Sequence, residues 1–112
     1  MNPEKIVEEQ VQAYNDRNIS KFVACHSLEV ELYNLSEKEP FAIGRKIIKE
    51  IYEEVFENSP NLNTEILSRT IIGNKVIDCE RISGRKGIDT FEMAAVYEIE
   101  NGLISKAHFI KQ

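Results

Sequence analysis

Residues 91–110, FEMAAVYEIENGLISKAHFI, read as one long β-hairpin closed by Asn101-Gly102. An Asn-Gly pair between apolar-rich runs is the strongest short-range hairpin signal, because both residues tolerate a positive φ. A two-residue turn there sets the register. Glu100 opposes Leu103, Tyr97 opposes Lys106, Ala95 opposes His108 and Met93 opposes Ile110. Successive side chains alternate faces and opposed residues share one. Met93, Ala95, Tyr97 and Ile99 are therefore expected on the same face as Ile104, Lys106, His108 and Ile110. That face is large and apolar, yet it holds a His, a Lys and a Tyr, with small Ala95 opposite the His. Such a composition suits the floor of a pocket.

Upstream, Gly73-Asn74 is a second two-residue turn, joining strands expected over 65–72 and 75–83. Its register sets Arg69 against Asp78 as a cross-strand ion pair. The opposite face then gathers Thr64, Ile66, Ser68, Ile77, Cys79, Arg81 and Ser83. Further back lies the most strongly patterned helix. Ile47, Ile48, Ile51, Tyr52, Val55 and Phe56 recur at helical spacing after Gly44, with Lys and Glu on the other side and Asn58-Ser59-Pro60 as the stop. Residues 30–35 alternate like a strand, and 36–40 read as a loop. At the start, Asn2 caps a helix with Pro3 at its first position, running to about Asn15. Residues 15–18 break it and cap a short second helix ending near Cys25-His26. The order is α-α-β-α-β-β-β-β. Helices first and hairpins last make an α+β class, with the concave face of an antiparallel sheet on the helices.

Composition limits the function classes. A chain of 112 residues has room for a single domain, here 1–112, and 42% apolar residues make it globular. The net charge is −5 and no basic stripe stands out, which argues against a nucleic-acid partner. No leader-like opening and no apolar run of membrane-spanning length is present, so no membrane partner and a cytoplasmic location are expected. Cys25 and Cys79 do not form a CxxC pair. Reduced, buried thiols are the expectation, with no metal site.

The segments AYNDRNISKFVACHSLEVELYNL, FAIGRKIIKEIYEEVFENSPNL and VYEIENGLISKAHFI resemble the nuclear transport factor 2-like superfamily, in its SnoaL-like and ketosteroid-isomerase-like branch. The resemblance spans essentially the whole chain. It implies a cone-shaped, cystatin-like roll: three helices on a curved, mixed but mostly antiparallel sheet that encloses a cavity. It also implies a homodimer through the sheet, a hydrophobic small-molecule ligand, and no metal or organic cofactor. The ketosteroid-isomerase pattern puts Asn34 where the catalytic base would be, Ala95 where a carboxyl donor would be, and Gln10 near the place of the tyrosine. Two key groups are missing, which argues against steroid isomerisation by that mechanism. The limonene-epoxide-hydrolase-like pattern is nearer. Glu80-Arg81-Ile82-Ser83 matches its strand motif with Ser83 in place of an Asp, and His108 stands in place of a second.

These readings nominate His108 as general acid/base, since its ordinary pKa lies near neutrality, and Arg81 as the stabiliser of an anion or oxyanion. Tyr14, Asn34, Tyr97, Ser83, Met93 and Ala95 are the candidate ligand contacts. Tyr14, Tyr52 and Tyr97 are equally readable as core residues with a hydroxyl at the edge. Arg81 is equally readable as a surface partner of a nearby Glu, and His108 as a hydrogen-bonded core or interface residue. His26 reads as a helix-terminal residue at the domain edge. Two functions follow. One is a small-molecule-binding protein, of isomerase, lyase or hydrolase type, in which Arg81 and His108 converge across an open pocket. The other is a non-catalytic dimeric binding or assembly module with a vestigial cavity.

Overall fold

A computed structural model describes residues 2–111. Helix α1 spans Pro3–Asn15, and the Asn2 side chain accepts a hydrogen bond from the Glu4 amide at 3.1 Å. Val7, Val11 and Tyr14, spaced by four and three, form its buried stripe. Helix α2, Ile19–Ala24, starts on Asn18, whose side chain accepts from the Lys21 amide at 3.1 Å. Strand β1 is His26–Asn34 and β2 is Ala42–Ile43. Helix α3, Arg45–Asn58, follows Gly44. Strands β3 (Asn63–Ile72), β4 (Lys75–Ser83), β5 (Phe91–Glu100) and β6 (Leu103–Lys111) complete the chain.

The α+β class and element order expected from the sequence are present, with one addition. β2 pairs antiparallel with β1, Ala42 beside Leu32, and Ala42 is buried there. The six strands form one sheet in the order β2-β1-β6-β5-β4-β3. Among the described residues β1 and β6 are the one parallel pair. The helices cover one side, α1 against β3, β4 and β6, and α3 against β1 and β2. Two apolar clusters fill the space. One joins Val7, Val30, Ile48, Val76, Ile99 and Ile104; the other joins Ala13, Tyr14, Phe22, Phe56, Leu62 and Ile82. Tyr52 and Met93 pack against both.

Both hairpin turns form as expected, and both hairpins then depart from simple register. Asn101 and Gly102 have φ of 53° and 78°, and Glu100 opposes Leu103. Beyond Ile99 and Ile104 the ladder slips by one, so Glu98 opposes Lys106, Val96 opposes His108 and Ala95 opposes Phe109. Ser105 is the extra residue, and its Oγ donates to the Glu98 carbonyl at 3.0 Å. One inserted residue reverses the parity of everything after it. Ile104, Ala107 and Phe109 therefore share the concave face with Ala95 and Tyr97. Lys106, His108 and Ile110 are turned to the convex face, contrary to the expected pairing of His108 with Ala95. The core drives this, since Ile104 and Ala107 are both fully buried and an odd step separates them.

In the other hairpin Arg69 does oppose Asp78. A bulge at Leu67 then sets Ile66 opposite Glu80 and Thr64 opposite Ile82. Thr64 and Ile66 thus join the concave face, not the face of Cys79 and Arg81. Cys79 is exposed, whereas the sequence reading had it buried. Among the described residues no helix is long and apolar enough to cross a membrane.

Candidate functional site

Between the helices and the sheet lies a cavity of about 120 Å³. Val11, Ile51, Val55, Phe91, Met93 and Phe109 supply apolar wall; Gln10, Tyr14, Tyr52, Thr64, Glu80 and Tyr97 supply polar groups; Arg85 and Lys111 add two cations. β4 carries alternate residues inward from Val76 through Asp78 and Glu80 to Ile82, all buried. This puts two carboxyls on the same face, two residues apart.

Their surroundings differ. Arg69 holds Asp78 from two nitrogens, Nε to Oδ1 at 2.6 Å and Nη2 to Oδ2 at 2.8 Å, and also pairs with Glu8. Glu80 has no such clamp. Among the described residues it makes no ion pair, and its one side-chain hydrogen bond is a long one from the Tyr97 hydroxyl, 3.5 Å to Oε1. The residue is 5% exposed. Burial and then the charge of Asp78 push its pKa up to about 7, against the weaker opposing pull of Tyr97 and Arg69. Burial also pushes the Tyr14 phenol up to about 12 and raises those of Tyr52 and Tyr97 well above the ordinary phenol value. The three phenols are thus held as hydrogen-bond donors at neutral pH. Gln10 is 7% exposed, and its Oε1 has no hydrogen-bond partner among the described residues.

An aromatic cluster of Tyr14, Phe22, Tyr52 and Phe56 backs the cavity, with the Tyr14 and Phe56 rings edge to face at 5.5 Å. Asn15 fixes the end of α1 over the rim. Its Nδ2 donates to the Thr64 carbonyl at 3.0 Å, and its Oδ1 accepts from the Thr64 amide at 2.7 Å. Gly84 opens the loop that brings in Arg85.

Of the residues nominated from sequence, Tyr14, Tyr97 and Met93 line the cavity. Ala95 is fully buried in the sheet nearby without lining it. Asn34 is half-buried at the end of β1 opposite Phe109, and Ser83 ends β4 on the outward parity; neither lines the cavity. His108 and Arg81 are both on the convex face. The His108 ring stacks on Tyr33 at 4.6 Å and 8°. Arg81 reaches Glu65 at 3.3 Å and Glu92 at 3.0 Å, which is the surface pairing weighed against its catalytic reading. Four residues and two strands separate them, roughly 16 Å between backbones. They do not converge on the cavity, so the geometric basis for their roles is absent.

His26 is corrected as well. It is buried, not at the edge, with Nδ1 2.8 Å from the Phe22 carbonyl and its ring against Phe22. Burial pushes its pKa down to about 4. Glu80, Gln10 and Arg85 line the cavity and were not among the residues nominated from sequence. The alternation Val76, Asp78, Glu80, Ile82, taken with an ion-paired Asp78, was the available signal for Glu80. Among the described residues no three metal-ligating side chains are gathered.

Residues 7–107 match the family described as the SnoaL-like domain. Comparison with curated proteins returns no match. Among solved structures, a cystatin-fold protein from Novosphingobium aromaticivorans superposes with a TM-score of 0.90 at 19% identity, covering 99% of each chain. A candidate polyketide cyclase from Sinorhizobium meliloti gives 0.80 at 15% identity, over 97% of this chain and 99% of that one. A protein of ketosteroid isomerase-like fold from Catenulispora acidiphila gives 0.80 at 15%, over 96% and 85%. At these identities the likeness establishes the fold alone.

Proposed function

The chain belongs to the SnoaL-like domain family, whose members bind small hydrophobic ligands, and from that premise we propose that it moves a proton on a small, oxygen-bearing, hydrophobic molecule held in the cavity. The observation that carries this reading is Glu80: a buried carboxyl on the cavity wall, with no ion pair among the described residues. A group balanced near neutrality serves as base in one step and acid in the next. As carboxylate, Glu80 removes a proton from a carbon beside a carbonyl. The C–H electron pair moves into the enolate, and the oxygen that gains charge is met by the phenols of Tyr14 or Tyr52. The protonated Glu80 then returns the proton to the same or a conjugated carbon. The scheme is an isomerase or lyase half-reaction, and no cofactor enters it. Glu80 takes the role first assigned to His108, and the tyrosines the role first assigned to Arg81.

The test is proton exchange. Phenylacetone in D2O buffer, followed by proton NMR, should lose its α-protons faster with the protein than without, with a rate that rises through pH 7. Glu80→Gln should remove the acceleration and keep the fold. Exchange no faster than in buffer, or unchanged in Glu80→Gln, would sink the acid/base reading and leave the non-catalytic binding module in the lead.

A second copy on the convex face belongs to the same proposal. A shallow groove there is lined by Leu67, Cys79, Ala94 and Ile110, with Leu67 and Ile110 exposed. The mass in solution decides it. A cytoplasmic setting, in which exposed Cys79 stays reduced, completes the reading.

A further inference from the structure

We propose that the ligand of this cavity is a small hydroxylated aromatic acid, its ring between the apolar walls, its hydroxyl on Gln10 and its anionic group at the mouth between Arg85 and Lys111. The inference rests on the cavity being the site and adds the charge and polarity of what enters it.

Gln10 supplies the first constraint. Its side-chain oxygen is the one buried side-chain polar atom, among the described residues, without a hydrogen-bond partner. A buried acceptor left unpaired carries its full desolvation penalty, so a donor at that spot is worth an unusual amount. Oxygen and nitrogen of an amide exchange by a flip. A hydroxyl, which both donates and accepts, satisfies either orientation.

The second constraint is charge. Arg85 and Lys111 both line the cavity, and neither forms an ion pair among the described residues. Burial and then the Arg85 charge lower the Lys111 pKa, so the two cations stand near enough to act on each other. An anion between them relieves both. Among the described residues Glu80 is the one acidic side chain lining the cavity. It repels a carboxylate from the inner wall, so the ring goes in first and the charge stays at the mouth.

Size is the third constraint. About 150 Å³ suffices for a benzene-sized ring, and the cavity is of that order. Tyr52, Phe91, Met93 and Phe109 offer the flat and adaptable surfaces a ring needs.

Calorimetric titration with three probes separates these contributions: 4-hydroxybenzoate, 4-hydroxybenzamide, which keeps the hydroxyl without the charge, and benzoate, which keeps the charge without the hydroxyl. The expected result is 4-hydroxybenzoate binding about tenfold or more tightly than either, the scale of one charge-assisted or buried hydrogen bond. The double substitution Arg85→Gln with Lys111→Gln should erase the advantage of acid over amide and leave the amide unchanged. Gln10→Met should erase the advantage of 4-hydroxybenzoate over benzoate. Equal affinity of acid and amide, equal affinity with and without the hydroxyl, or no binding of any probe to the unmodified protein overturns the proposal; that comparison needs no variant to fold. Glu80→Gln should still bind 4-hydroxybenzoate. Failure of the ligand class beside continued phenylacetone exchange therefore leaves the acid/base reading standing, and the converse pattern removes the acid/base reading alone.

Discussion

Arg69 fastens Asp78 with two hydrogen bonds in a place where Asp78 has no exposed surface at all. Removing one partner of such a pair leaves a buried, uncompensated charge, at a cost of about 3–5 kcal/mol. Arg69→Met should therefore lower stability by that order in urea unfolding. It should also shift the titration of Glu80 upward, because the Arg69 charge now pulls it down. A variant as stable as the parent would show that the pair contributes no more than a surface one. This ion pair was readable from a turn and a count of residues, because the Gly73-Asn74 register holds unbroken from Ile72 to Ser68. Glu80, two residues further, was not read as a site. What singles it out is the lack of a cationic partner among the described residues, and that absence is a property of the whole surrounding packing. His108 was read onto the pocket face from an unbroken Asn101-Gly102 register, and the extra residue at Ser105 turns it to the other side; Arg81 keeps the expected company of Cys79, on a face that does not line the cavity.

At the scale of elements, helices and turns were legible because their signals are local. Asn2-Pro3, Asn18 and Asn101-Gly102 each state a boundary in two or three residues. The bulges at Leu67 and Ser105 were not, since each is chosen by the core across the sheet and not by the strand that carries it. A trace was present in β6: Ile104, Ala107 and Phe109 are apolar while Ser105, Lys106 and His108 are polar, an alternation with a skipped beat. The loop after β4 carries its own constraint. Gly84 has φ of 77°, and a Cβ built there would sit 2.0 Å from the Asn61 carbonyl oxygen and 2.4 Å from its carbon. Both contacts are backbone, which has no rotamer to yield. Gly84→Ala should lose about 2 kcal/mol or more of stability, beyond the usual penalty for a left-handed Ala. It should also displace Arg85 and weaken 4-hydroxybenzoate more than 4-hydroxybenzamide. Unchanged stability in thermal unfolding would show that residues 59–62 move aside easily.

Two of the buried titratable groups of the molecule, Glu80 and His26, have effects on folding that oppose each other. Glu80 is raised from 4.5 to about 7, so its stabilising contribution is complete below pH 4.5 and is lost as pH rises through 7. His26 is lowered from 6.5 to about 4, so its contribution is complete above pH 6.5 and is lost as pH falls through 4. Each shift spans a similar interval and corresponds to something on the order of 3 kcal/mol. Between pH 4.5 and 6.5 the folded protein holds a proton on Glu80 that the unfolded chain releases, and lacks one on His26 that the unfolded chain takes up. The two slopes cancel, and these groups together leave stability nearly level across that window. Single substitutions should expose what the pair conceals. Glu80→Gln leaves the His26 slope, so stability should climb as pH rises from 4.5 to 6.5. His26→Asn leaves the Glu80 slope, so stability should fall over the same range. The double variant should be level again. Urea midpoints at pH 4.5, 5.5 and 6.5 measure all four proteins. A Glu80→Gln protein with the parent's pH slope would mean that Glu80 is ionised in the fold as it is in the unfolded chain. The cavity would then hold a permanent negative charge, unable to deliver a proton at neutral pH, and the acid half of the proposed chemistry would have no donor there.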